Sequence, residues 1–446
     1  MAGTRRDDRP DPPPTARLTR TGIAPDRPFV RRFPIMYRIV AAFAAAGLCV
    51  PPPAHAQANP PVLTLSQAID RADAASPTPE AADAAIRAAQ ADRRAAGLRP
   101  NPSIVAESEN IGGTGVYRGV RSAETTVGLS LPLELGGRRG ARVALADARI
   151  GQASVDRDIA RADLRLRVTQ AYIDAAAGQR RLSVAREQVA IATEVLRAAQ
   201  VRVRAGRASP IEEQRADLAR LRAENAADQA ARTADLAAAT LARLTGLPTV
   251  AVDPDWFGQL PPPAPAADGP TLTDAAARAD LMAAEAAVRL AERQRIPELT
   301  LNASARRLEQ TNDTAAVIGV SIPLRLFDRG RATADAAGAR RDQAAALRRA
   351  ARIDADIAIA KARADAGSAA ATARLATGPV LAAAMEAARI ARIGYREGKF
   401  GQLDLLDAER TLADTRTAAI DAIDALHDAR ARLDRLTAPA IPDTRP

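Results

Sequence analysis

Two carboxylates three residues apart, Asp404 and Asp407, stand in the stretch "YREGKFGQLDLLDAERTL", downstream of Tyr395, Arg396, Gly398, Lys399 and Phe400. Side chains three apart on a helix share a face, so the pair can present a doubled negative charge to a cation. The plainer alternative is a solvated helix face, on a chain in which 26% of residues are charged.

The remaining inventory is poor in chemistry. The only cysteine is Cys49 and the only histidines are His55 and His427. If a leader is removed, one histidine and no cysteine remain, so no soft-ligand cluster for a metal can be assembled. His427 is expected on a helix face. No nucleophile with a base, phosphate loop or metal-ligand spacing is present. An enzyme is therefore not expected, and neither is a cofactor.

Charge narrows the classes further. Of the formal +10, half lies in residues 1–56, where nine arginines meet four aspartates. The rest is a mixed surface without a basic cluster interleaved with aromatics, so nucleic-acid binding is not expected. Residues 1–56 read as a leader. "MYRIVAAFAAAGLCVPPPAHAQ" from Met36 has a basic start, an apolar run and an A-x-A ending at Ala56, the pattern of a cleaved secretory signal. Residues before Met36 read as lying upstream of the true start, with an unusually long basic region as the alternative. Leu48 before Cys49 does not suit a lipoprotein signal.

The elements that carry the acidic pair are written twice. "VGLSLPLELGGRRG" from Val127 is answered by "IGVSIPLRLFDRGR" from Ile318, and "TLSQAIDRAD" from Thr64 by "TLTDAAARAD" from Thr271. "RVRAGRASPIEEQRADLARLRAE" from Arg202 is answered by "GYREGKFGQLDLLDAERTLADTR" from Gly394. The units fall at 57–252 and 271–438, with a Pro-rich linker at 253–270 and a tail at 439–446. Each reads helix, strand, loop, strand, very long helix, tight turn, return helix.

Strands are expected at Ser103–Asn110, Glu124–Leu131, Leu299–Arg307 and Ala316–Ile322. Val127, Leu129 and Leu131 alternate with small or polar residues, as do Ile318, Val320 and Ile322, so each set shares a face. Pro132 and Pro323 then mark turns from strand into helix. The long helices, near 137–202 and 329–394, would each reach on the order of 100 Å at about 1.5 Å per residue. Heptad seams run through Ile159, Leu166, Ile173, Leu182, Val189, Leu196 and Val203, and through Leu405, Leu412, Ala419, Leu426 and Leu433. Thr377–Pro379 should kink the second rod.

Four strands in one chain cannot pair both their edges, and an open edge in a bilayer leaves backbone groups unsatisfied. Two copies would close eight strands and three would close twelve. Only the larger number leaves a lumen.

Residues 62–437 resemble the TolC-like outer membrane factors of Gram-negative export systems, through "LSLPLELGGRRGAR", "SIPLRLFDRGRA" and "YREGKFGQLDLLDAERTL". "PLELGGRR" and "PLRLFDRG" are most similar to the CzcC-type branch that serves heavy-metal efflux. The resemblance implies a mainly α, TolC-like homotrimer: a helical tunnel through the periplasm and a twelve-stranded barrel set in outer-membrane lipid. It also implies a periplasmic adaptor and an inner-membrane RND pump as partners. Divalent metals are the implied cargo, with organic drugs or solvents as the alternative. A soluble periplasmic coiled-coil scaffold would fit the helical signal alone.

The same resemblance places a gate at Tyr395, Asp404 and Asp407, with two rings of three carboxylates in a trimer. The family's basic residue after the turn glycine falls on Phe400, which leaves Arg396 or Lys399 to replace it. Gly206, Arg207, Gly398 and Phe400 fall at the tips that meet the adaptor. The chain departs from the usual pattern in its thin aromatic girdles, with Tyr117 in the first loop and Phe327 just past the fourth strand.

Overall fold

The computed structural model describes residues 61–262 and 269–440. The expected leader, its start at Met36 and its cleavage after Ala56 lie outside the described residues, as does most of the 439–446 tail.

The chain opens with β1 (Val62–Leu63), α1 (Leu65–Ala75) and α2 (Pro77–Ala96), followed by the hairpin β2 (Ser103–Glu109) and β3 (Glu124–Leu133). Next come α3 (Arg138–Arg204), α4 (Pro210–Thr245) and β4 (Ala251–Val252). The second half repeats the order with α5 (Leu272–Gln294), β5 (Leu299–Leu308), β6 (Asp313–Ser321), α6 (Arg331–Leu375), α7 (Leu381–Arg396) and α8 (Gln402–Leu436). α1 starts where Thr64 and Gln67 exchange side-chain and backbone hydrogen bonds, which satisfies donors the first turn leaves free.

The two hairpins join into one antiparallel sheet of order β2-β3-β5-β6. Its register sorts the side chains by polarity. Ile104, Leu129, Ala303 and Ile318 lie in one row across the sheet, and Leu131, Leu301 and Val320 in another. The opposite face carries the row Ser103, Ser130, Asn302 and Gly319, and Arg306 there donates to Thr126 (3.0 Å) and Glu124 (2.9 Å). The apolar face is open, with Val127, Leu129, Leu131, Ile318, Val320 and Ile322 all exposed. The outer edges of β2 and β6 pair with no other described strand.

The strand boundaries differ from expectation by up to three residues. β3 continues through Pro132, which faces Thr300, so Pro132 is part of the strand rather than the turn. β2 ends opposite Ser130, leaving Pro132 flanked by β5 alone, and a proline is tolerated where one side of a strand is unpaired. β6 stops at Ser321, which puts Ile322 just outside it. Pro323 does lie in the connection to α6.

α3 runs 67 residues without a break, on the order of 100 Å. Its buried large side chains are Leu164, Val168, Tyr172, Ile173 and Val195. Of the expected seam only Ile173 is fully covered, because α3 packs against α2, α4, α5 and α8 and so needs more than one stripe. The α8 seam is buried at all five expected positions. The second rod is broken: α6 passes through a π-helical turn at Ala376–Val380 into α7, with Gly378 at φ −99°, ψ −106° and Pro379 beside it.

Midway along the rods Tyr172 ties three segments together. Its hydroxyl donates to the Leu63 carbonyl (2.8 Å) and accepts the Asp253 N–H (3.1 Å), beside the parallel pair β1 and β4. Burial pushes the phenol upward. The first part of the expected linker is packed: Phe257 is buried and Trp256 stacks on His427 at 4.4 Å between centroids. His427 is thus a core residue, against the expectation of a helix-face position. Its Nε2 meets the Phe257 carbonyl at 3.2 Å, and burial holds its pKa below the ordinary value.

Candidate functional site

The ends of the two helical hairpins lie together. Gly206 (φ 68°) and Gly398 (φ 73°) reverse the chain in the left-handed region that favours glycine. At the first turn the Arg207 N–H reaches back to the Arg202 carbonyl (2.9 Å). At the second, the Lys399 and Phe400 N–H groups share the Gly394 carbonyl (2.8 and 3.1 Å). The Phe400 ring folds onto Gly394, where a β-carbon would fall 2.1 Å from it. Phe400 is therefore part of the turn's packing.

Tyr395 is buried, with the Arg202 guanidinium 4.9 Å from its ring centre. That contact joins the last turn of α3 to the last turn of α7. Burial raises the phenol pKa, Arg202 opposes the rise and the Glu212 carboxylate adds to it. Gln402 Nε2 donates to the Glu212 carbonyl (2.7 Å), which links the starts of α4 and α8. The Tyr395 hydroxyl, Arg202 Nε, one Glu212 carboxylate oxygen and Gln402 Oε1 are all buried without a hydrogen-bond partner among the described residues. A turn further in, Arg392 pairs with the buried Glu409 (2.8 Å between Nη2 and Oε2).

Asp404 and Asp407 are exposed. Asp404 also accepts the Gly401 N–H (2.9 Å), so it closes the first turn of α8. Arg396 and Lys399 are exposed as well and form no ion pair among the described residues. The cation that meets Tyr395 within the chain is Arg202, from the other hairpin. Sequence reasoning missed Arg202, Glu212 and Gln402. One signal was present: when the two turn segments are superposed, Glu212 falls on Asp404.

The strand-to-helix junctions differ in their wiring. In the first, Gly136 packs so close to Ile296 that a β-carbon would sit 2.2 Å from its Cδ1. Arg138 donates to the carbonyls of Gln294 (2.8 Å) and Ile296 (2.7 Å), which satisfies the end of α5. Arg142 pairs with Glu134 and reaches the Ala96 and Leu98 carbonyls at the end of α2. That hydrogen bond holds the Glu134 carboxyl below the usual range. In the second junction Asp328 accepts the Gly330 N–H (2.8 Å), while Leu324, Leu326 and Phe327 project outward, Phe327 being 100% exposed.

The outer membrane efflux protein family model matches residues 68–247 and 273–438. The chain is 30% identical over 319 residues to the cobalt-zinc-cadmium resistance protein CzcC of Cupriavidus metallidurans, covering 70% of this chain and 76% of the relative. It is 33% identical over 308 residues to the nickel and cobalt resistance protein CnrC of the same organism, covering 68% and 73%. The fold matches the crystal structure of the outer membrane protein VceC from Vibrio cholerae with a TM-score of 0.69, at 20% identity over 84% of this chain and 96% of that one.

Proposed function

The chain belongs to the outer membrane efflux protein family and has the TolC-like fold, and on that premise we propose that it is the exit duct of a tripartite system exporting divalent heavy-metal cations. The observation that carries the cargo is the similarity to CzcC and CnrC, whose names specify cobalt, zinc, cadmium and nickel resistance. The sheet lies in the outer membrane and the rods extend into the periplasm.

The sheet's chemistry supports the duct. Its apolar face suits lipid, its opposite face offers Ser, Asn and Arg side chains, and its two free edges require further copies. Three copies close twelve strands around a lumen. A periplasmic adaptor meets the tips at Gly206, Arg207, Gly398 and Phe400, and an inner-membrane RND pump supplies the driving force. The contact of Arg202 with Tyr395, with Glu212 and Gln402 beside it, holds the two hairpins together at rest. Asp404 and Asp407 line the tip as two carboxylate rings that draw cations inward. Arg396 and Lys399 are free to meet the next copy.

A deletion strain should retain at least one of zinc, cobalt, cadmium, nickel or copper, and complementation should restore its efflux. Normal metal efflux with retained dyes or drugs would overturn the cargo and leave the duct. In planar bilayers, Asp404→Lys with Asp407→Lys should lower cation conductance. Unchanged conductance and selectivity would reduce the pair to a solvated face.

A further inference from the structure

The second strand-to-helix junction keeps charges that the first one consumes. Arg295, Arg325 and Arg329 converge on a shallow cavity of about 440 Å³, lined also by Glu292, Ile296 and Pro297. Three arginines and one glutamate line it, and none of the four forms an ion pair among the described residues. The other nearby acid, Asp328, lies outside the cavity lining and accepts the Gly330 N–H, so the junction as a whole sets three arginines against two acids. In the first junction, by contrast, Arg138 and Arg142 each have a carboxylate and helix-end carbonyls to hold.

The cavity lies where β6 leaves the sheet. The exposed apolar series Ile318, Val320 and Ile322 runs directly into Leu324 and Leu326, 80% and 65% exposed, and then Phe327. A basic cavity therefore adjoins an apolar loop that continues the lipid-facing side of the sheet. Guanidiniums match phosphate oxygens in pairs of parallel hydrogen bonds, and apolar and aromatic side chains at this level settle among acyl chains.

We infer that this junction binds an anionic phospholipid of the inner leaflet, with Arg295, Arg325 and Arg329 on its phosphate and Leu324, Leu326 and Phe327 against its chains. The inference rests on the outer-membrane reading of the sheet. A second copy is the other candidate occupant, and its charge argues against it. The sheet order brings the next copy's β2 beside β6; Arg94 lies in the last turn of α2, which precedes β2, and Arg99 follows in the connection between them. Neither has an ion-pair partner among the described residues. The neighbour thus adds positive charge to a site already short of anions.

The test uses the purified protein in neutral detergent. Its melting temperature would be measured with phosphatidylglycerol micelles, with phosphatidylcholine micelles and with inorganic phosphate. Phosphatidylglycerol should raise Tm by roughly 2–4 °C over the other two. Arg325→Gln with Arg329→Gln should abolish that difference while melting like the wild type in phosphatidylcholine. Equal melting of the wild type in both lipids, or an equal rise with inorganic phosphate, would overturn the proposal without any variant. A double variant that falls to monomers in every lipid would assign the arginines to contact between copies, which also overturns it. A wild-type chain that never partitions into membranes would instead overturn the outer-membrane reading.

Discussion

The two halves of the chain match midway along the rods and part company toward the tips. Leu241 and Leu433 occupy corresponding positions before the repeated "RLT" and are buried alike, at 0% and 2% exposure. Further along, α3 continues unbroken while α6 gives way to a π-helical turn and α7. The first half joins a cluster of large side chains, Leu164, Val168, Tyr172, Ile173 and Leu241, with Phe257 added from the connecting segment. The second rod is held by small clusters rich in alanine: Ala373, Ala422 and Leu426, then Ala384, Ala388 and Leu412. Alanine lets helices approach closely but buries little area per residue. One half is therefore built as a frame, and the other as a rod with a flexing point.

The largest expected effect tests the match. Leu241→Ala and Leu433→Ala should each cost about 2–5 kcal/mol, seen as similar drops in melting temperature in detergent. Strongly unequal drops would end the equivalence of the halves at this level. The next tests the difference. Gly378→Ala with Pro379→Ala removes residues that cost a helix interior about 1 and 3 kcal/mol. Amide exchange across 376–380 should slow and bilayer conductance should fall. The reverse graft, Glu187→Pro at the corresponding place in α3, should cost about 3 kcal/mol or more, with loss of the Arg416 ion pair (2.9 Å) included. A graft that leaves melting unchanged would show that the frame tolerates a hinge.

A smaller effect separates the halves by pH. His427 is buried and its pKa is lowered, first by burial, with the Phe257 carbonyl and Asp424 opposing. Below the ordinary histidine value of about 6.5 the unfolded chain takes up a proton that the folded chain refuses. Stability is therefore full above that value and falls as pH drops toward the folded pKa, by at most about 1.4 kcal/mol per pH unit. His427→Phe keeps the stack on Trp256 and should flatten this part of the melting profile. Asp235, the corresponding residue of the first half, is exposed.

Periodic features were legible in the sequence because each repeats a local rule. The α8 seam, the alternating strands and the proline kink fall where spacing alone puts them, and the repeat made each one visible twice. What escaped was single contacts between distant segments. Nothing near residue 427 says that Trp256 will cover its histidine, and nothing near Tyr395 says that Arg202 will reach its ring. Asp404 shows a third kind of loss. Its spacing from Asp407 suggested a charged face, but its place three residues after Gly401 also makes it a helix cap, and one carboxylate can serve both.

The smallest effect sharpens the comparison at the tips. Gly206→Ala and Gly398→Ala each force a side chain into a left-handed backbone, at roughly 1–2 kcal/mol, and the two should be alike. Gly394→Ala acts on one tip only, since its new β-carbon meets the Phe400 ring and must push it away. The corresponding residue of the first half is Arg202, whose turn carries Ala208 in place of a ring. Faster proteolysis at the second turn alone is therefore expected from Gly394→Ala. Adding Phe400→Ala removes the clash, so the double variant should be less impaired than the sum of the two single changes, by about 0.5–3 kcal/mol of coupling. Strict additivity would mean that the ring does not hold this turn, and the two tips would then differ in sequence but not in how they are fastened.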